Sequence, residues 1–416
     1  MYVPPSDRSP TTGDGGAGAS NGVLELLASV DVNDPDRIAS LLAQALAGVG
    51  VSSSTLYLAD YAENSLVPVA PGRPDVMSLP VHAEGAAQSP AGRAFLEQEV
   101  VEDRRSEEPR LWVPVSERGR ATGVIELHVE TLHPDVMRAV EGLGRLMAHL
   151  VASASRYSDT LHLARRRQDF SLPAEMQWSL LPPTAFATEG FCIGALLEPA
   201  YDVGGDAYDY SADGAILQFA LLDAMGHGLH ASTISALAMG ALRWARRGGL
   251  SLIDQALEID RVVNDEIHGD GFVSGVLGAL DRDSGELRWI TLAHEAPWII
   301  AADGARPLEM TPCLPMGMRV GRRGPEPVEQ RTVLPESSMV ALTSDGITQA
   351  RDSTGELLGD APLLALLQHV DDLDGNVAYR AARSLIRAVL DHCPDGLTDD
   401  ATAVVIARVP RDDYDS

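Results

Sequence analysis

The sequence predicts an α+β protein of two domains joined by a long helix. Three observations carry this. At roughly 150 residues per domain, 416 residues correspond to two or three domains. Hydrophobic residues make up 45% of the chain, enough to pack a core in each domain. The apolar spacing alternates between strand-like and helix-like along the chain, with strands and helices mixed on both sides of the longest helical stretch.

Charge and composition narrow the function. Thirty-two basic against 60 acidic residues give a net charge of −28, which disfavours nucleic acid and anionic membrane surfaces as partners. The same charge suits a protein that gathers divalent cations, although a merely soluble acidic surface produces it too. Cys192, Cys313 and Cys393 are odd in number and far apart, so neither a disulfide framework nor a zinc knuckle is expected. No apolar run is long enough to span a bilayer, and the N-terminus lacks the basic and apolar regions of a signal peptide. The expectation is a cytoplasmic protein with no membrane or nucleic-acid partner.

Residues 1–20 are rich in Pro, Gly, Ser and Thr and are expected to form a disordered tail. Helical periodicity begins at 22–30 and 36–49. Residues 54–60, 65–70, 76–82, 110–115 and 121–130 then read as short strands, with one helix at 89–100 among them. This small domain, residues 21–132, resembles a GAF sensory domain. The resemblance lies in Leu56-Tyr57-Leu58-Ala59-Asp60, in the helix from Ser89 to Glu99 running into Val100-Val101-Glu102-Asp103, and in Leu111-Trp112-Val113-Pro114-Val115 followed by Gly123-Val124-Ile125-Glu126-Leu127. A PAS-like fold is the alternative. With all three cysteines beyond residue 190, a thioether-linked bilin in this domain is excluded; the ligand is otherwise unspecified.

From Val136 through Val140, Leu143, Met147, Leu150, Ala154, Tyr157 and Leu161 to Ala164, apolar or small residues alternate at spacings of four and three. That is a heptad seam, expected on one long linker helix over 133–170. Gly142 and Gly144 each cost about 1 kcal/mol of helix propensity, so packing must hold the helix. A parallel homodimer through this coiled coil is expected; the alternative is a monomer whose helix packs on its own domain. Arg165-Arg166-Arg167 reads either as a solvated face or as a contact with acidic residues of a neighbouring domain.

Beyond residue 170, strands are expected at 191–200, 214–223, 271–281, 286–293, 297–302, 328–335, 338–345 and 400–409. Helices are expected at 229–247, 251–268, 361–370 and 377–393, and the tail at 411–416 should fray. Four aspartate sites stand at strand ends in Gly-punctuated loops: Asp206, Asp223, Asp345 and the pair Asp399-Asp400. A lone Asp there is usually a turn former or cap. If the strands share a sheet edge, however, the carboxylates converge, raise each other's pKa and call for cations. Oxygen donors without a Cys or His cluster select Mg²⁺ or Mn²⁺ over zinc, and the Ala224 carbonyl is a further candidate ligand. Two such ions would share a water and clamp a phosphoryl group.

Taken together, these motifs are similar to the metal-dependent serine/threonine phosphatases of the PPM class (protein phosphatase 2C family), in their SpoIIE-like bacterial branch. The residues are Glu175-Met176-Gln177-Trp178-Ser179-Leu180-Leu181-Pro182, Gly204-Gly205-Asp206, Asp223-Ala224-Met225-Gly226-His227-Gly228, Ser344-Asp345-Gly346 and Asp399-Asp400-Ala401-Thr402, in family order. The resemblance implies a β-sandwich flanked by helices over 171–410, two Mn²⁺ or Mg²⁺ ions, and hydrolysis of phosphoserine or phosphothreonine. It carries catalytic and metal roles to Asp206 and Asp223, and metal roles to Ala224, Asp345 and Asp399. His227 and Asp400 stand as possible supporting residues, His227 being equally a general acid or a structural residue. Three departures stand out: Thr291-Leu292-Ala293-His294 replaces a usual Asn-Ala-Gly-His, Gln349 replaces a usual Glu, and Ala207 a usual aromatic.

The expected function is a sensor-gated phosphatase acting on a phosphorylated regulator of the anti-sigma-factor-antagonist type. The alternative from another class is a catalytically silent scaffold binding a partner through the GAF domain and coiled coil. A small phosphoester substrate would use the same chemistry.

Overall fold

The structure, a computed structural model, describes residues 38–46, 51–69, 77–81, 89–105, 109–129, 134–198, 204–318, 324–369, 374 and 376–410. The expected tails at 1–20 and 411–416, the helix at 22–30, Val203 and the side chain of Val136 lie outside them. The chain forms two compact units, one of residues 1–117 with 121–167, the other of 118–120 with 168–416.

In the first unit, α1 (Ile38–Leu46) precedes β1 (Val51–Ala59), β2 (Ser65–Pro68) and β3 (Leu79–Pro80). Helix α2 (Pro90–Glu97) is capped by Ser89, whose hydroxyl accepts from the Gly92 amide. Then come β4 (Val101–Asp103), β5 (Arg110–Glu117), β6 (Arg120–Val129) and α3 (Pro134–Ala154). The strands form one sheet in the order β3-β2-β1-β6-β5-β4. Period-two alternation sends Leu56, Leu58, Val113 and Ile125 to the face covered by α1 and α3. Tyr57, Ala59, Trp112 and Val124 go to the face covered by α2.

The linker-helix expectation is corrected here. Helix α3 ends at Ala154, and a separate α4 spans Thr160–Ala164. Between them the backbone tightens into i→i+3 bonds, Arg156 N to Ser153 O and Tyr157 N to Ala154 O, while Ser155 Oγ donates to Val151 O at 2.8 Å. The seam also has its partner already. Val140, Leu143, Met147, Leu150, Ala154 and Leu161 are buried in this unit's own core with Leu56, Val113 and Ile125, whereas Tyr157 is 79% exposed. Gly144 lets α3 lie against β5, since a Cβ there would overlap the Pro114 carbonyl; Gly142 faces open space. The seam residues are thus covered by their own unit's sheet, as the monomer alternative expects. The basic cluster likewise turns to its own unit: Arg165 Nε donates to Ala59 O at 2.8 Å and stacks on Tyr61, and Arg167 donates to Ser78 Oγ.

In the second unit, α5 (Leu172–Leu180) leads into β7 (Ala185–Thr188), β8 (Phe191–Glu198), β9 (Asp206–Asp213) and β10 (Ile216–Ala224). Helices α6 (Gly228–Arg247) and α7 (Leu252–Ile267) follow, then β11 (Val273–Asp281), β12 (Glu286–Leu292), β13 (Trp298–Ala301), β14 (Gly304–Pro307), β15 (Gln330–Val333) and β16 (Ser338–Thr343). The unit closes with α8 (Asp345–Thr348), α9 (Ala361–Ala365), α10 (Val377–His392) and β17 (Ala401–Arg408).

Two sheets, ordered β15-β12-β11-β10-β9 and β14-β13-β16-β17-β8-β7, pack face to face. Between them lie Phe191, Tyr208, Phe219, Val276, Trp289, Val404 and their neighbours. Helices α6 and α7 cover the outer face of the first sheet, and α10 that of the second. Along β17, Val404 and Ile406 enter the inter-sheet core while Ala403, Val405 and Ala407 meet α10, so a register slip of one residue would exchange the two cores. The result is the helix-flanked β-sandwich the resemblance implied.

Among the described residues no helix is long and apolar enough to cross a membrane.

Candidate metal centre

Asp206 opens β9 and Asp223 lies one residue from the end of β10, and antiparallel pairing sets them directly opposite each other. On the other side of β10, Asp223 faces Ser274 of β11. One row across the sheet thus carries Asp206, Asp223 and Ser274 on a common face. The second sheet supplies the rest: Asp345 heads α8 directly after β16, and Asp399-Asp400 precede β17.

Each carboxylate has its own holder. Thr402 Oγ1 donates to Asp206 Oδ2 at 2.6 Å, and Ser274 Oγ donates to Asp223 Oδ2 at 3.2 Å. Asp400 accepts from the amides of Gly204 (2.7 Å) and Asp206 (3.3 Å), which pins the Gly-Gly-Asp turn across 194 residues of sequence. Ser344 Oγ donates to the Asp400 carbonyl and accepts from the Thr402 amide, locking the two motifs together. Gly205 must be glycine because a Cβ would overlap the Ala224 carbonyl, and on Gly346 it would overlap the Asp400 carbonyl.

Burial, then the neighbouring Asp223 and Asp400, push the Asp206 carboxyl well above its ordinary range, against the opposing Thr402 and Ser344 bonds. Burial, then Asp345 and Asp399, raise Asp223 to about 6. Burial also lifts Asp400 to about 6, with Asp399 and Asp223 adding to it against the two amides. Asp345 is raised by burial and by Asp399. Among the described residues no three carboxylate, imidazole or thiol side chains draw round a single point as a closed cage. The donor set nevertheless fits hard divalent cations. It is all oxygen, the carboxylates crowd one edge of both sheets, and their charged forms are disfavoured until a cation offsets them.

These shifts predict a pH dependence. A carboxyl near 3.8 in the unfolded chain and near 6 in the folded one takes up its proton on folding between those values. Stability in chelator should therefore rise as pH falls from 7 toward 4.5, and this contribution is lost above 6. Protons compete with cations, so the gain in melting temperature from Mn²⁺ should grow as pH climbs through 6. Melting curves at pH 4.5 to 7.5, with EDTA or Mn²⁺, check both signs. A Mn²⁺ gain that is flat with pH would discard the crowded-carboxylate account.

The structure separates the remaining site residues. Asp399 is exposed, whereas Asp400 is buried against the backbone. His227 is exposed at the N-cap of α6 and makes no side-chain cap bond. Where Asn-Ala-Gly-His is usual, Ala293 takes φ +49°, a left-handed conformation that glycine adopts without cost, and the Thr291 hydroxyl is buried without a hydrogen-bond partner among the described residues. Ala293→Gly should stabilise this unit by up to about 1 kcal/mol, read by urea denaturation; an unchanged midpoint would refute the strain. Burial holds the neighbouring His294 down to about 4. His294 Nδ1 lies 3.1 Å from Ser274 Oγ, extending the row behind Asp223.

Sequence reasoning did not identify Ser274, Ser344, Thr402 or Glu295 as site residues. Glu295 accepts from Thr348 Oγ1 at 2.7 Å and from Gln349, and is close enough to Asp345 for their charges to interact. The charge absent at Gln349 thus stands on Glu295. Its signal was a carboxylate directly following His294 in a departing motif.

Residues 213–409 match the family described as Stage II sporulation protein E (SpoIIE). The phosphoserine phosphatase RsbU of Bacillus subtilis (strain 168) is 21% identical over 243 residues, which cover 58% of this chain and 70% of the relative. Among solved structures, the RsbU and RsbW domains of Rv1364c from Mycobacterium tuberculosis align at 23% identity and a TM-score of 0.47. That match covers 54% of this chain and 62% of the other, less than two thirds of its length. The SiaA-PP2C domain of Pseudomonas aeruginosa aligns at 17% identity and a TM-score of 0.46, covering 56% of this chain and 93% of that one.

Proposed function

We propose that the chain, whose residues 213–409 match the SpoIIE family, is a phosphatase of the PP2C type that dephosphorylates phosphoserine or phosphothreonine on a regulatory protein of the partner-switching kind. The observation that carries this is the direct pairing of Asp206 with Asp223, at an edge where Asp345 and Asp399 add two further carboxylates.

In this proposal Asp206, Asp223, Asp345 and Asp399, with the Ala224 carbonyl, hold two Mn²⁺ or Mg²⁺ ions. When bound, the ions supply Lewis acidity to the charge that develops on the transferring phosphoryl group. The chain's own part is positioning. Thr402 and Ser274 fix the carboxylate planes of Asp206 and Asp223. Asp400 fixes the Gly204 turn beside them. His227, exposed four residues past Asp223, is assigned as the proton donor to the leaving seryl oxygen.

The first unit is assigned a GAF-like sensory role. Its six-stranded sheet, helix-covered on both faces, supports that reading, as does the buried Glu126 that collects Tyr57, Arg110 and His128. A cytoplasmic location is part of the same proposal. The test is phosphate release from a phosphoserine protein in Mn²⁺, in EDTA, and with residues 1–167 removed. Turnover that ignores EDTA overturns the metal mechanism, and turnover unchanged by the truncation overturns the gating.

A further inference from the structure

Beside the carboxylates lies a cavity of about 300 Å³ whose wall includes Asp345, Asp399, Gln349, Arg351 and Leu397. It is contiguous with two of the residues assigned to the cations and large enough for one or two amino-acid side chains. Its wall is mixed: Leu397 and Ala350 are apolar, Gln349 and Thr398 polar.

Among the described residues Arg351 is the wall's only cation. All 32 basic residues of the chain are arginine, and most that are described in this unit engage a carboxylate, as Arg243 and Arg246 engage Asp209. Arg351 does not. Its Nη1 donates to the Gly355 carbonyl at 2.9 Å, and among the described residues the guanidinium has no ion-pair partner. Its backbone is fixed as well, because the Cys393 thiol donates to the Arg351 carbonyl at 3.3 Å. A guanidinium keeps its charge at all working pH values and presents a planar fork matched to carboxylates. On the phosphatase reading the cations would offset the charges of Asp345 and Asp399, whereas no described residue forms an ion pair with Arg351. In a chain of net charge −28, it is a local point of attraction for an anionic side chain.

Resting on the phosphatase reading, we propose that this cavity is the subsite for the residue next to the phosphoserine, and that Arg351 selects a glutamate or aspartate there. Discrimination should be carried in KM, because the contact is made equally in the ground and transition states.

The experiment uses the full chain with Mn²⁺ and three phosphoserine peptides that differ only in one flanking residue, Glu, Gln or Lys. The wild type should favour the Glu peptide over the Gln peptide by about fivefold in kcat/KM, the scale of one exposed ion pair. Arg351→Glu should invert the order in favour of the Lys peptide. The charge-matched Arg387→Glu, on the exposed Arg387–Asp391 pair of α10, should keep the wild-type order and so separate local contact from bulk charge. Equal kcat/KM for all three peptides, or the same order in wild type and Arg351→Glu, overturns the subsite. Fluorescence anisotropy with uncleavable phosphonate versions of the peptides provides a second readout. If no peptide is hydrolysed yet the Glu preference in binding is present and disappears in Arg351→Glu, the subsite stands and the phosphatase reading fails. If the peptides are hydrolysed without preference, the reverse holds.

Discussion

Asp223→Asn should lower Mn²⁺-dependent phosphate release by roughly a thousandfold or more, and Asp399→Asn should do the same, since several kcal/mol of transition-state stabilisation go with the cations. The fold should survive. Asn keeps the size of Asp and, at position 223, retains an oxygen for the Ser274 hydroxyl. Each change also removes one of the charges that crowd Asp345. In EDTA the Asp223→Asn variant should therefore melt no lower than the wild type above pH 6, while its response to Mn²⁺ shrinks. Near-wild-type turnover in both variants would sink the metal assignment. A collapse of stability in EDTA would show that the carboxylates hold the fold rather than the cations.

The second large effect lies in the first unit. Met147 is fully buried between α3 and the sheet, so Met147→Glu places a charge without a partner in that core. The cost is about 3–5 kcal/mol, moderated only as far as the glutamate takes up a proton. For a domain of this size that lowers the melting temperature by roughly 10–30 °C. The two helix glycines supply the control. Gly142→Ala should stabilise by up to about 1 kcal/mol, and Gly144→Ala should destabilise through the Pro114 carbonyl. Calorimetry on the three variants reads all of this. Light scattering decides between the two accounts of the seam: a variant that melts like the wild type but has half its mass would restore the coiled coil.

That correction shows where the sequence was legible. An apolar stripe at spacings of three and four is the same whether the helix faces a second helix or a sheet, so Val140 to Ala154 mark a helix without saying what covers it. The break was written in Ser155 and Ser158, whose hydroxyls bond to nearby backbone. Long apolar runs such as β10 and β17 were read directly. Strand β9 does alternate, Tyr208, Tyr210 and Ala212 against Asp209, Ser211 and Asp213, but with Asp206 at its head the stretch is rich enough in polar residues to resemble a loop. Two of these have structural reasons: Asp206 belongs to the carboxylate row, and Asp209 is buried beneath Arg243 and Arg246. The motif aspartates were legible because glycine flanks them, whereas the hydroxyls that orient them carry no such punctuation. Ser274 sits inside a run of apolar residues that reads as an ordinary buried strand, and Thr402 stands out from the alanines and valines around it only by its hydroxyl.

Strand β17, the last of the described strands, lies in the middle of its sheet between β16 and β8, and it brings Asp399, Asp400 and Thr402 to residues nearly two hundred positions earlier. During synthesis, everything up to α10 emerges before the strand that closes the site. Until then β8 and β16 have no shared neighbour and Asp206 lacks its Thr402 bond. Closing so long a loop is slow, which makes this insertion a late step of folding. A nascent chain on the ribosome, or one released short of residue 399, therefore lacks part of the candidate metal centre. On the proposed reading, the order of the strands holds back phosphate removal until β17 has been made.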